Sequence, residues 1–227
     1  MQTTEQNGTN RIAGMEPKAV KPTKAAASKA MGVSSGLVEI PAPDLRLMSV
    51  ELVGLTPLIM HKFSAKATRE IIEKQMHKAK AAKGARDPEQ EFTDAIHFLP
   101  GHKDRYAFPA SAFKNAAVAA CSHVPGVTKV VARGAFHVLG DLVEIVGTPI
   151  MREDNVRVMG KAHIRYRAEF ATWSTSLRVR YNHGVMSPEQ IINLMNVAGF
   201  CCGIGDWRPQ RDGSMGMFQV GSAKGNA

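Results

Sequence analysis

Gly199-Phe-Cys-Cys-Gly-Ile-Gly-Asp-Trp-Arg-Pro-Gln-Arg-Asp-Gly-Ser-Met-Gly-Met-Phe-Gln-Val220 is the stretch whose reading decides the fold. It follows a well-marked helix and ends in an apolar, strand-like run, Met217 to Val220. Five glycines (Gly199, Gly203, Gly205, Gly213, Gly216) divide it, and Trp207, Arg208 and Arg211 sit among them. Glycine lets the backbone turn at φ > 0 or approach a ligand without a Cβ in the way. Such a loop between a helix and a last strand suits an anion held on backbone amides, most often a phosphate chain. The alternative is a long surface loop that needs only its turns.

The elements upstream are equally marked. Ser187-Pro-Glu-Gln190 is a capping box with proline at the first helical position. Ile191, Ile192, Leu194, Met195 and Ala198 give that helix its buried face, and Gly199 ends it. From Ser174 to Tyr181 the chain alternates: Thr175, Leu177, Val179 and Tyr181 take one face, and Ser174, Ser176, Arg178 and Arg180 the other. Ile164 and Tyr166 alternate with Arg165 and Arg167 in the same way. One sheet face is therefore expected to be apolar and the other studded with arginine, a residue whose planar fork matches phosphate. Tyr166, Phe170 and Trp173 are interleaved with these arginines, a mixture that suits stacking of unpaired bases. Each aromatic alone suits core packing equally well.

The first half carries a β-rich run from Leu45 to Val53, then a helix expected over Ala65 to Lys83, capped by Ser64 and stopped by Gly84. Arg86 to Arg105 is polar and broken by Asp87-Pro88 and Pro100-Gly101, which predicts an excursion from the domain. Phe108-Pro-Ala-Ser-Ala-Phe-Lys-Asn-Ala-Ala-Val-Ala-Ala-Cys121 is an alanine-rich helix opened by Pro109 or Ser111, with Ser111, Lys114 and Asn115 on one face. Ala135 to Val146 predicts a strand pair, or one long strand broken at Gly140-Asp141. His137 there suits a packed or edge position better than catalysis.

A net charge of +9 over 227 residues points to an anionic partner, nucleic acid first and an acidic membrane second. No run of eighteen apolar residues is present, so no membrane span is expected. No apolar signal core opens the chain, so a cytoplasmic place is expected. Three cysteines (Cys121, Cys201, Cys202) form no disulfide framework, and the histidines lack metal-ligand spacing. Residues 1 to 43, with Lys18, Lys21, Lys24 and Lys29 and few large apolar side chains, are expected to form a disordered basic arm.

Two motifs resemble one superfamily. Phe108-Pro-Ala-Ser-Ala-Phe-Lys-Asn-Ala is similar to the proline-small-serine-x-x-lysine start of the first helix in the repeat-associated (RAMP) proteins. Gly203-Ile-Gly-Asp-Trp-Arg-Pro-Gln-Arg-Asp-Gly-Ser-Met-Gly-Met-Phe is similar to their C-terminal glycine-rich loop, although Asp206, Trp207 and Asp212 interrupt it. These proteins include the backbone subunits of CRISPR effector complexes, which polymerise along guide RNA, and the likeness extends to uncharacterised phage-encoded proteins. The resemblance implies a ferredoxin-like, RNA-recognition-type fold.

The expected architecture is thus α+β, a β-α-β-β-α-β ferredoxin-like core over residues 44 to 221. An insertion at 62 to 107, an excursion at 148 to 162 and a tail at 222 to 227 complete it. The expected function is sequence-tolerant binding of single-stranded RNA or DNA by copies joined head-to-tail, without catalysis, metal or cofactor. Phosphate contacts are expected from Lys114, Arg165, Arg167, Arg178, Arg180, Arg208 and Arg211. Gly203, Gly205, Gly213 and Gly216 would supply backbone, and Trp207 would stack a base or plug a neighbouring copy. The alternatives are a metal-dependent ribonuclease using Asp154 or Asp141, and an assembly protein free of nucleic acid.

Overall fold

The computed structural model describes residues 40–63, 65–77, 86–158 and 160–221. The expected basic arm, up to residue 39, and the tail from 222 lie outside the described residues, as does Ser64. In chain order the elements are β1 (Leu45–Gly54), β2 (Leu58–Met60), α1 (Ala65–Gln75), α2 (Pro88–Asp94), β3 (His97–Phe98) and β4 (Tyr106–Pro109). There follow α3 (Ala110–Ala120), α4 (Lys129–Ala135), β5 (Phe136–Val138), β6 (Leu142–Ile145), β7 (Pro149–Val158) and β8 (Lys161–Phe170). The chain closes with β9 (Ser174–Asn182), α5 (Pro188–Cys201) and β10 (Phe218–Val220).

One sheet has the order β10-β1-β9-β5, with every neighbouring pair antiparallel. Helix α3 lies between β1 and β5 in the chain, and α5 between β9 and β10. That is the strand order and connectivity of the ferredoxin-like fold, so the expected β-α-β-β-α-β core is present. The alternation along β9 does what the sequence pattern requires: Thr175, Leu177, Val179 and Tyr181 are buried, while Arg178 and Arg180 are exposed. Val50 and Leu52 of β1 and Phe136 of β5 share the buried side. They join Phe113, Ala116 and Ala117 of α3 and Ile191, Leu194 and Met195 of α5 in one apolar cluster. Each large side chain buried there contributes about 1.5–3 kcal/mol. Both halves of the Ser187–Gln190 capping box are formed, as expected.

The additions differ from the expectations in informative ways. Helix α1 ends at Gln75, where His77 takes a left-handed φ of 55°, and the rest of the expected helix, with its stop at Gly84, lies outside the described residues. The stretch from Arg86 to Arg105 is not a bare excursion. Asp87 caps α2, and Ala95 and Ile96 enter the core. Pro109 both ends a strand and stands at the N-cap of α3, as expected, and β4 pairs with β6 and β3 in a second sheet. Ala135 to Val146 does form two strands, but β5 and β6 belong to different sheets, and a helix not expected from the sequence, α4, precedes them. The 148–162 excursion is one arm of the β7–β8 hairpin, which β2 joins as a third strand. Among the described residues, no helix is long and apolar enough to cross a membrane.

Candidate nucleic-acid interface

The side of the four-stranded sheet away from α3 and α5 is built from the polar half of each alternation. Register places Leu47, Arg180 and His137 in one cross-strand row and Ser49 and Arg178 in the next. Ser49 and Ser176 hydroxyls are hydrogen-bonded at 3.1 Å between these strands. Arg178 and Arg180, two residues apart on β9, stand about 7 Å from each other along the strand. Among the described residues neither has a carboxylate partner. By contrast Arg46, Arg86, Arg105, Arg152 and Arg167 are each tied to an acid. A paired arginine has its charge largely offset, and these two do not.

Three of the glycine-loop amides expected to face an anion are engaged within the protein. Gly203 N donates to Ala198 O (2.9 Å), Gly213 N to Arg208 O (3.2 Å) and Gly216 N to Pro57 O (2.8 Å). Asp206 N donates to Ile59 O, Met215 N to Trp207 O and Met217 N to the Thr56 hydroxyl. The loop is therefore stitched to itself and to the β1–β2 turn, and those three glycine amides are taken. The glycines serve close approach instead: a Cβ on Gly213 would overlap Trp207 O, and one on Gly216 would overlap Ile204 O. Gly203 and Gly205 both take positive φ, with Gly205 lying against Ile59 O. What the loop offers outward is side chains. Trp207 is 47% exposed and held at φ 57°, and Arg211 is exposed. Arg208 is half-buried, its guanidinium donating to Gly205 O and the Gln210 side chain.

Arg167 departs from the expected arginine face. Its side chain is 6% exposed, and Nη1 donates to Asp154 Oδ2 at 2.6 Å. Nε lies 3.2 Å from Asp206 Oδ2, off the line of a hydrogen bond. Asp154 Oδ1 accepts from Arg152 Nε at 2.8 Å, and Arg152 reaches Glu169 as well. His61 Nδ1 donates to Asp206 Oδ2 at 3.2 Å. This cluster fastens the hairpin, β2 and the glycine loop together. Burial pushes the Asp154 carboxyl up, but hydrogen bonds and charge from Arg152 and Arg167 outweigh it and leave the group below the ordinary aspartate value. The cause lies in register: β7 pairs Arg152 with Arg167 and Asp154 with Arg165, and the acid bridges the diagonal. Arg165, half-exposed and on the same face of β8 as Arg167, is left outside the cluster's hydrogen bonds among the described residues. Both Asp154 oxygens accept from arginines, and Asp141 is exposed with its carbonyl accepting from Ala110 N. No three His, Cys, Asp or Glu side chains among the described residues group as metal ligands.

Lys114 is likewise occupied. Its Nζ donates to Ala132 O at 2.6 Å and to Phe136 O, over the Phe136 ring at 3.6 Å. It ties down the carbonyls at the end of α4, the dipole's negative end. Of the interleaved aromatics, Phe170 and Trp173 are core and Tyr166 is half-buried beneath the Arg86 guanidinium. The structure thus brings Arg178 and Arg180 together on the open face. It sets Trp207, Arg208 and Arg211 in the loop, and assigns Arg167 and Lys114 to holding elements in place. Sequence reasoning left His137 out of the site, though it shares a row with Arg180; only register carries that signal.

No family model matches the chain, and no curated protein matches it. Several solved structures are similar, two of them as follows. One is a chain in the cryo-EM structure of the Type III-B Cmr-beta bound to cognate target RNA, at TM-score 0.44 and 12% identity, covering 79% of this chain and 60% of that one. The other is Cmr6 from Pyrococcus furiosus, at TM-score 0.40 and 11% identity, covering 78% of this chain and 99% of that one. This chain thus spans less than two thirds of the first. Both neighbours are RAMP-superfamily subunits. With both TM-scores below 0.5, the fold assignment stands on the strand order alone, and that order is ferredoxin-like.

Proposed function

We propose that this protein binds single-stranded nucleic acid, RNA or DNA, on the open face of its four-stranded sheet, with no base sequence preferred. The observation that carries the proposal is the pair Arg178 and Arg180, which among the described residues have no acid partner and stand on the sheet side away from α3 and α5. His137, Leu47 and Ser49 complete the surface. Arg165, Arg208 and Arg211 add positive charge, and Trp207 supplies an exposed aromatic plane for a base. The protein's role is to hold the strand, not to cut it. Copies follow one another head-to-tail along it, meeting through apolar side chains exposed on α1 (Ile71, Ile72) and in the turn after it (Met76).

The test is fluorescence anisotropy with labelled poly-U and poly-dT oligonucleotides, titrated across 50–200 mM salt. For single strands the logarithmic salt slope is about −0.7 per neutralised phosphate, so Arg178→Gln/Arg180→Gln should flatten it by about 1.4. At a fourfold change in salt, that is about sevenfold less loss of affinity. A variant that binds as tightly and with the same slope as wild type removes the open face from the proposal. Wild-type protein that binds neither strand at low salt removes the function altogether. Sedimentation on a long strand tests the assembly, which Ile72→Glu should reduce to isolated copies.

A further inference from the structure

In the helical layer, away from the open sheet face, α3 and α4 share a pocket of about 280 Å³ lined by Lys114, Asn115, Val118, Ala119, Lys129 and Arg133. Three of the six are cations, one is a carboxamide and none is an acid. None of the three cations has a carboxylate partner among the described residues. Lys129 and Arg133 are four apart on α4 and so project from the same side of the helix. Lys114 forms the floor, pinned by the two carbonyls of Ala132 and Phe136. Burial pushes its ammonium down to about 8, which marks the floor as poorly hydrated ground where an anion would be welcome.

We propose that this pocket binds a single phosphate group, gripped by Lys129, Arg133 and Asn115 above the Lys114 ammonium. The volume is at the small end for ligand sites and is enough for one anionic group. Three positive charges suit a phosphomonoester, with its charge of about −1.5 to −2, better than the single charge of an internal phosphodiester. The ligand is therefore a terminal phosphate, on the end of a strand or on a small free molecule. The site does not depend on the open face binding nucleic acid.

The test uses the full chain and Lys129→Gln/Arg133→Gln, whose altered side chains are exposed and outside the core. Binding of a short oligonucleotide is compared with 5′-phosphate, 3′-phosphate or hydroxyl ends, and thermal shifts are read with inorganic phosphate and pyrophosphate. Expected is an advantage of about tenfold for a phosphorylated end, lost in the double variant and kept in Arg178→Gln/Arg180→Gln. A strand advantage that millimolar free phosphate leaves intact names the strand end as source. A thermal shift with free phosphate or pyrophosphate, lost in the double variant, names the small molecule. Equal affinity for all ends, together with no thermal shift from either small anion, overturns the proposal.

Discussion

Replacing Asp154 by Asn tests whether the cluster beneath the hairpin is structural. The substitution keeps the shape and removes the charge that neutralises Arg167, whose side chain is 6% exposed against 9% for Asp154. Breaking a buried pair by removing one partner typically costs about 3–5 kcal/mol, because the other charge is left uncompensated. Asp206 still stands 3.2 Å from Arg167, and Arg152 keeps Glu169, so the lower end of about 3 kcal/mol is expected. For a domain of this size, 1 kcal/mol moves Tm by about 2–4 °C, giving a fall of about 6–12 °C. Calorimetric melting of wild type, Asp154→Asn and Asp154→Leu/Arg167→Met is the assay. The apolar double variant should recover more than half of the loss, since a packed apolar pair replaces a desolvated ionic one. The sign of the pH dependence follows from the lowered Asp154 carboxyl. Its stabilisation is full above the unfolded value near 3.8 and is lost as pH falls through the folded value, so wild type should lose its margin over Asp154→Asn below about pH 4. A Tm within 2 °C of wild type at pH 7 would refute the reasoning and return Asp154 to the candidates for chemistry.

Two further outcomes concern close packing and capping. Gly199→Ala, which in an ordinary helix gains about 1 kcal/mol of propensity, should here lower Tm, because its Cβ would overlap Phe218 O where α5 crosses β10; unchanged or raised melting would show that the helix can shift away. Lys114→Met should destabilise by about 1–3 kcal/mol through the uncapped carbonyls of Ala132 and Phe136, read by urea unfolding. Unchanged stability would free Lys114 for a purely ligand-binding role.

Local chemistry was enough to place the core of this protein. Ser187 and Gln190 cap α5 whatever surrounds them, and a period of two from Ser174 to Tyr181 can bury one face of a strand only by exposing Arg178 and Arg180. These signals span a few residues and involve the backbone's own preferences, so the sequence alone determined the order of core elements and the fold class. It did not reveal α4, where Val130, Val131 and Gly134 weaken the helical signal and the cap, Thr128, is supplied by the preceding loop. Nor did it show which arginines are spent. Arg165 and Arg167 look alike on one strand, and only the β7–β8 register brings Asp154 to Arg167 while the glycine loop brings Asp206. The same holds for the loop itself: a run of glycines fits an anion cradle or a tightly stitched turn, and the choice rests on Thr56, Pro57 and Ile59, more than 140 residues earlier in the chain. Charge and periodicity are properties of the chain, whereas ion pairing and amide satisfaction depend on which distant segments tertiary packing sets side by side.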